Sequence, residues 1–356
     1  MQKKNKFSYL VTGGAGFIGS NFIKYLFDKY DGGVEVINYD LLTYAGNLDN
    51  LKQYENNAGY KFIKGDISDI VDTGRLFEFN KFDFVVNFAA ESHVDRSIID
   101  SSPFIRTNIT GTQTLLDLSR RHKIKKFIQI STDEVYGSLD TGGFFIEETP
   151  LAPNSPYSAS KAAADFLARA AFKTYGMPVV ITRCSNNYGP YQFPEKLIPL
   201  MIANIINKKE LPVYGRGENI RDWLFVADHC AAIDTALHNG VAGEVYNIGG
   251  NNEYKNIDIV NLIIDLMEAR GYKGGRGLIK YVQDRPGHDM RYAIDASKIK
   301  DSLGFTPQID FEKGMNLTID WYLNNQPWLM NIISGEYSRY YDELYLPKYK
   351  NLNAEK

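Results

Sequence analysis

Near the start of the chain, Leu10-Val11-Thr12 runs without a break into Gly13-Gly14-Ala15-Gly16-Phe17-Ile18-Gly19. A β-branched apolar run, a glycine loop and the first turn of an apolar-faced helix form the opening half of a βαβ unit, which belongs in a parallel sheet wound with helices. Glycine serves three purposes here: a tight turn, close approach of backbone to a pyrophosphate, and close packing of helix on strand. Gly13, Gly16, Phe17, Ile18 and Gly19 are therefore candidate cofactor contacts. The next apolar run ends at Asp40, roughly 20 residues beyond the last glycine, where a carboxylate can accept hydrogen bonds from a ribose diol and repel a 2′-phosphate. That predicts NAD rather than NADP, with a helix cap before Leu41 as the structural alternative. Asp66, after Gly65, is a candidate adenine-side contact; a turn or cap fits it equally well.

Short strand-like runs alternate with helical stretches up to about residue 188. Strands are predicted near Phe7 to Thr12, Val34 to Tyr39, Lys61 to Lys64, Phe84 to Phe88, Phe127 to Ser131 and Val179 to Thr182. Helices are predicted at Phe17 to Lys29, Asp69 to Phe79, Pro103 to His122 and Tyr157 to Tyr175. The predicted fold class is α/β, a doubly wound parallel sheet of the Rossmann type with a smaller, discontinuous C-terminal substrate domain. Beyond Tyr188, Gly189, Pro190, Pro194, Pro199 and Pro212 break the regularity. The expected division is residues 1–188 for cofactor, with returning segments near 222–250, and 189–356 mainly for substrate. Within the return, Asp222 to His238 reads as a helix and Glu244 to Gly249 as a strand. A chain of 356 residues suits two such regions.

Charge and cysteine usage exclude several classes. Forty basic residues against 43 acidic ones leave no excess for wrapping nucleic acid. Cys184 and Cys230 are too few and too far apart for a disulfide framework or a metal site, so a cytoplasmic location and no metal are expected. No run approaches the roughly 18 apolar residues of a membrane span. His93 and His288 belong to a scattered set of five histidines and read as structural or substrate-contacting groups.

Two constellations carry chemistry. Tyr157 and Lys161, four apart in a helical stretch, project from one face about a turn apart. A phenol is a poor base at neutral pH, and a lysine ammonium together with a nicotinamide positive charge would favour its phenolate. The fifth strand runs into Thr132-Asp133-Glu134 at the sheet edge where such folds bind ligands. An adjacent acid and base beside an oxidant are what a β-elimination requires, although most Asp-Glu pairs in loops are caps or solvated turns.

With these residues in view, the chain resembles the extended short-chain dehydrogenase/reductases and, within them, the nucleoside-diphospho-glucose 4,6-dehydratases. The resemblance spans about residues 7 to 340. It rests on Gly13 to Gly19, Ala89 to Ser97, Ser131 to Gly137, Tyr157 with Lys161, Asn186 to Pro190, Lys196 to Pro199, Arg221-Asp222-Trp223, Asp284 to Asp289 and the Ser334 to Tyr337 tail. It implies that Thr132 contacts the sugar, Asp133 protonates the departing 6-hydroxyl and Glu134 removes the C5 proton. It places Asp66, Ile67, Ala89, Ala90, Thr107, Lys161 and Asn187 with NAD. Ser92, Asn186, Lys196, Leu197, Pro212, Val213, Tyr214, Arg221, Asn256, Arg285 and His288 would hold a thymidine-linked glucose. It also implies a homodimer built on the helices at Pro103 to His122 and Tyr157 to Tyr175.

The chemistry that follows is an NAD-dependent lyase reaction. Oxidation at C4 acidifies the C5 hydrogen, water leaves across C5 and C6, and the hydride returns to C6. A sugar-nucleotide 4-epimerase would need Tyr157 and Lys161 but neither Asp133 nor Glu134. GDP-mannose dehydratases are also related, with a Ser-Glu pair after the threonine and NADP as cofactor, whereas this chain has Asp133 and Asp40. A non-catalytic NAD-binding scaffold would lack part of the constellation. The aromatic stretch Trp321 to Tyr349 reads as packing.

Overall fold

The computed structural model describes residues 6–139, 142–284 and 288–334. Its strands are β1 (Phe7–Thr12), β2 (Val34–Asp40), β3 (Tyr60–Lys64), β4 (Phe84–Asn87), β5 (Lys126–Thr132), β6 (Val179–Cys184), β7 (Asn186–Tyr188), β8 (Leu211–Tyr214), β9 (Ile220–Phe225), β10 (Val245–Ile248), β11 (Glu253–Lys255) and β12 (Ile279–Val282). Its helices are α1 (Phe17–Tyr30), α2 (Ile70–Phe79), α3 (Val94–Ile99), α4 (Ser102–Phe104), α5 (Thr112–Arg121), α6 (Pro156–Tyr175), α7 (Leu197–Ile206), α8 (Val226–Asn239), α9 (Asn256–Ala269), α10 (Ser297–Leu303), α11 (Phe311–Asn324) and α12 (Gln326–Ile333).

Seven strands form one parallel sheet in the order β10-β6-β5-β4-β1-β2-β3. The sheet is covered on both faces, as its nearly continuous apolar strands require. On one face, Phe22, Ile23 and Leu26 of α1 pack with Ile233 and Leu237 of α8. On the other, Leu76 and Phe77 of α2 pack with Leu115 and Leu118 of α5 and Ala168 of α6. Each fully buried large side chain contributes about 1.5–3 kcal/mol over its exposed state. The chain winds outward from β1 to β3, then crosses to β4 on the other side of β1. That reversal opens a crevice at the carboxyl ends of β1 and β4, the place where such sheets bind ligands.

A second core gathers Ile198 and Met201 of α7, Ile259 and Ile263 of α9, Met315 and Tyr322 of α11, and Trp223. It surrounds a three-stranded sheet, β11-β9-β7, and the pair β12-β8. Trp321 and Trp328 pack against this core, whereas the aromatic residues beyond Ser334 lie outside the described residues.

Two departures from the sequence reading are instructive. Asp222 to Phe225, predicted as helix, is strand: Ile220–Phe225 pairs with β7 and β11, and the helix starts at Val226. The run Trp223-Leu224-Phe225 is buried throughout, a pattern that a helix and a central strand share until a partner is known. The predicted helix from Pro103 to His122 contains a π segment, Ile105–Gly111, between α4 and α5. By contrast, α6 begins as its residues dictate. Ser155 and Ser158 form a reciprocal capping box, Pro156 opens the first turn, and Gly176 closes the helix in the left-handed conformation.

Candidate active site

A cavity of about 320 Å³ lies over the carboxyl ends of the strands. Its floor is the glycine loop. Gly13 has φ +67, and a Cβ there would stand 2.6 Å from the Ala89 nitrogen; a Cβ on Gly19 would stand 2.4 Å from the Gly13 carbonyl oxygen. Any larger residue would separate β1 from β4 or lift α1 off the strand. Gly16 precedes α1 in extended conformation, no side chain caps the helix, and its first turn holds no acidic residue. The first-turn N–H groups are therefore available to an anion.

At the end of β2, Asp40 is buried and accepts hydrogen bonds from the backbone N–H of Ala15 at 2.9 Å and of Leu42 at 2.7 Å. Burial pushes its carboxyl above the ordinary value and the two N–H groups pull it back. Asp40 thus ties the glycine loop to the loop after β2. Asp66 accepts from the Ser68 N–H and hydroxyl and from the Arg106 guanidinium at 2.8 Å, while also lining the cavity. The uncapped helix and the carboxylate at the end of β2 fit a dinucleotide whose diphosphate would meet the loop.

Tyr157 and Lys161 rise from the first two turns of α6, both buried. The Lys161 ammonium donates to the Ile130 carbonyl on β5 at 2.6 Å. Burial lowers its pKa, and Asp165 counteracts this. The Tyr157 phenol is pushed well above its usual range by burial and then by Glu134, with the Thr132 hydroxyl acting the other way. Burial first and Glu134 second therefore favour the protonated phenol in the protein alone. The expected shift toward phenolate would need the positive charge of a bound nicotinamide.

Thr132 ends β5 and caps a single 3₁₀ turn, Asp133–Tyr136, its hydroxyl accepting from the Glu134 N–H at 3.3 Å. That turn gives adjacent carboxyls different surroundings. Asp133 is 1% exposed, and its pKa is pushed up to about 8 by burial first and Glu134 second, with Arg221 opposing. Its Oδ2 has no hydrogen-bond partner. Glu134 is half-buried and faces the same cavity. One carboxyl is thus held protonated near neutrality beside a second carboxyl, the pairing that separates acid from base roles.

All the predicted catalytic and cofactor residues line this cavity, as do Ser92, Asn186 and Lys196. The Lys196 ammonium donates to the Ser92 carbonyl at 3.2 Å. Leu197, Pro212, Val213, Tyr214, Arg221, Asn256 and His288 are not among the lining residues. Leu197 opens α7, Asn256 opens α9, and Pro212 to Tyr214 lie on β8. Arg221 is buried against the Tyr292 ring and donates to the carbonyls of Ile220, Asp289 and Met290. His288 has Nδ1 2.6 Å from an Asp284 oxygen. His93 caps α3, with Nε2 3.6 Å from Glu195. Arg285 and the tail from Gly335 lie outside the described residues. Among the described residues, no cluster could hold a metal and no helix is long and apolar enough to cross a membrane.

The sequence reading missed Gln192, Glu195 and, in the loop after β2, Leu41, Thr43, Ala45 and Gly46 as lining residues. Glu195 is buried and accepts from the Tyr44 hydroxyl at 2.9 Å. Its place directly before Lys196 was the available signal.

A family profile described as GDP-mannose 4,6 dehydratase matches residues 10–318. A dTDP-glucose 4,6-dehydratase of Xanthomonas campestris pv. campestris (strain B100) is 54% identical over 93% of this chain and 97% of its own length. A dTDP-glucose 4,6-dehydratase from Bacillus anthracis str. Ames, solved in complex with NAD, is 51% identical with a TM-score of 0.85, covering 92% of this chain and 99% of the other. One from Streptomyces venezuelae, solved with NAD and a further ligand bound, is 46% identical with a TM-score of 0.86, covering 90% of this chain and 98% of the other.

Proposed function

The chain belongs to the family described as GDP-mannose 4,6 dehydratase and, within it, to the dTDP-glucose 4,6-dehydratases; on that basis we propose how its residues divide the reaction. It is an NAD-dependent lyase that converts dTDP-glucose to the 4-keto-6-deoxy sugar nucleotide. NAD held by the glycine loop, Asp40, Asp66, Ile67, Ala89, Ala90, Thr107 and Asn187 supplies the oxidant for C4 and the electron pair later needed at C6.

Tyr157 accepts the proton of the 4-hydroxyl, and Thr132 orients that hydroxyl. Lys161 holds a positive charge beside the tyrosine. Once C4 is a ketone, the C5 hydrogen is acidic enough for a carboxylate to remove, and Glu134 removes it. Asp133 delivers its proton to the departing 6-hydroxyl, which leaves as water. A proton then returns to C5. The observation that carries this reading is Asp133, buried and raised to about 8, beside Glu134 and facing the cavity that Tyr157 and Lys161 line. An epimerase has no step for either carboxyl.

The sugar nucleotide is assigned to Ser92, Asn186, Lys196 and the second region, where Leu197, Pro212, Val213, Tyr214, Arg221, Asn256, Arg285 and His288 would receive the diphosphate and base. Residues 1–188 with the returning segments serve the cofactor and residues 189–356 mainly the substrate. Exposed Ile105 and Phe166 support a homodimer built on the helical stretches at Pro103 to His122 and Tyr157 to Tyr175. A cytoplasmic location accords with the two free, buried cysteines.

Product analysis tests the reaction. In deuterium oxide, dTDP-glucose should lose the mass of one water and gain one solvent deuterium at C5, and deuterium placed at C4 should appear at C6. A product of unchanged mass with the label still at C4 would refute dehydration.

A further inference from the structure

Oxidation is assigned to residues of α6 and elimination to the turn after β5, so the two must be held in one register. Asp165 lies one turn beyond Lys161 on α6, in line with Tyr157 and Lys161 at four-residue spacing. Its Oδ2 accepts from the Arg183 Nε on β6 at 2.9 Å. A second nitrogen of the same guanidinium donates to the Tyr136 hydroxyl at 2.9 Å, and that hydroxyl donates to Asn247 Oδ1 on β10 at 2.8 Å. Tyr136 is the last residue of the turn that carries Asp133 and Glu134. Its ring stacks on Phe145 at 5.0 Å and lies 4.8 Å from the Arg183 guanidinium carbon. Asp165, Arg183 and Tyr136 are 1%, 5% and 2% exposed.

We propose that Asp165 and Arg183 are positioning residues that lock the Tyr157–Lys161 face of α6 to the Asp133–Glu134 turn, and so couple oxidation at C4 to elimination across C5 and C6. Neither touches the reacting atoms. A buried ion pair is a weak source of stability, because desolvation offsets its attraction, so its use here is geometric. The planar guanidinium fork suits this role, since it fixes two acceptors at a set angle. Asp165 also bears on Lys161 electrostatically, holding its ammonium charged against burial. Cys184 of β6 also bears on Lys161, and the titratable groups Tyr157 of the same helix and Asp133 and Glu134 of the turn line the same cavity.

The inference rests on the reading under Proposed function, and wild-type holoenzyme with dTDP-glucose serves as the arm that tests that reading separately. Asp165→Asn keeps the shape and removes the charge. Its kcat should fall about tenfold with KM little changed, and the alkaline limb of kcat should move down by about one pH unit, because Lys161 then loses its proton earlier. Asp165→Glu should restore the limb. Tyr136→Phe removes only the hydroxyl link to the turn. The steady-state fraction of reduced nicotinamide, read by its near-ultraviolet absorbance, should rise several-fold, because oxidation proceeds while elimination lags. A purely structural role would lower Tm while leaving both the pH limb and the reduced fraction unchanged, and that result would overturn the proposal. Should Asp165→Asn fail to fold, Tyr136→Phe decides the question by itself. Loss of dehydration in the wild type would instead refute the functional reading.

Discussion

Replacing Asp133 by asparagine should make this enzyme more stable and far less active, and the size of the gain follows from the site. An aspartate in an unfolded chain ionises near its ordinary value of 3.8, whereas the buried Asp133 carboxyl ionises at about 8. The sign is fixed by this difference: the folded pKa is the higher one, so the stability of the native form is fully present below about pH 4 and is lost as pH rises toward 8. Each pH unit in that window costs ~1.4 kcal/mol. At pH 7, about three units into it, the ceiling is about 4 kcal/mol, and relaxation and water entry around a buried carboxyl reduce this to about 2–4 kcal/mol. Asparagine has nearly the same shape and no charge to bury, so Asp133→Asn should recover that amount. The assay is denaturant unfolding followed by circular dichroism from pH 4 to 8.5, with NAD fixed at one concentration for both proteins, since cofactor binding adds its own stabilisation. The stability difference should be near zero at pH 4, grow through neutrality and level off above pH 8. A difference that is flat with pH, or a variant no more stable than wild type at pH 7, would refute the argument that Asp133 is held protonated by burial. The same variant should lose dehydration by about 10²-fold or more, because an amide is far too weak an acid to protonate a leaving hydroxyl.

Two further outcomes follow from the same geometry. Tyr157→Phe should abolish reduction of bound cofactor by substrate, with the substrate Kd changed by less than about threefold, as only the proton-accepting oxygen is removed; rapid-mixing absorbance and calorimetric titration measure the two quantities. Asp40→Ala should reduce the preference for NAD over NADP by about tenfold or more in titrations of cofactor-stripped enzyme, because the carboxylate proposed to meet the diol also anchors the Ala15 N–H of the glycine loop; an unchanged ratio would remove Asp40 from cofactor selection.

Much of this protein is local in origin and therefore legible in one dimension. The strand, glycine loop and helix from Phe7 to Tyr30 are dictated by residues adjacent in sequence, and Gly19 by a close approach to the Gly13 carbonyl that excludes any Cβ, whereas the approach that excludes one at Gly13 comes from the remote Ala89. The alternation of strands and helices, the α6 start at Pro156, the end of β2 at Asp40 and the spacing of Tyr157 and Lys161 are of the same kind. Tertiary structure decided whatever depends on partners remote in sequence. Ile220–Phe225 is a strand rather than the start of a helix because β7 and β11 lie beside it. The π segment Ile105–Gly111 fits Asn108 between Glu91 and Ser160, and no periodicity announces it. Chain order at residues 132–134 could place two carboxyls side by side, but only the folded surroundings make Asp133 a buried acid and leave Glu134 half-buried at the cavity. Dielectric and charge at a point are set by everything packed around it, and in this chain those neighbours come from β5, α6, β6 and β9, which sequence distance keeps far apart.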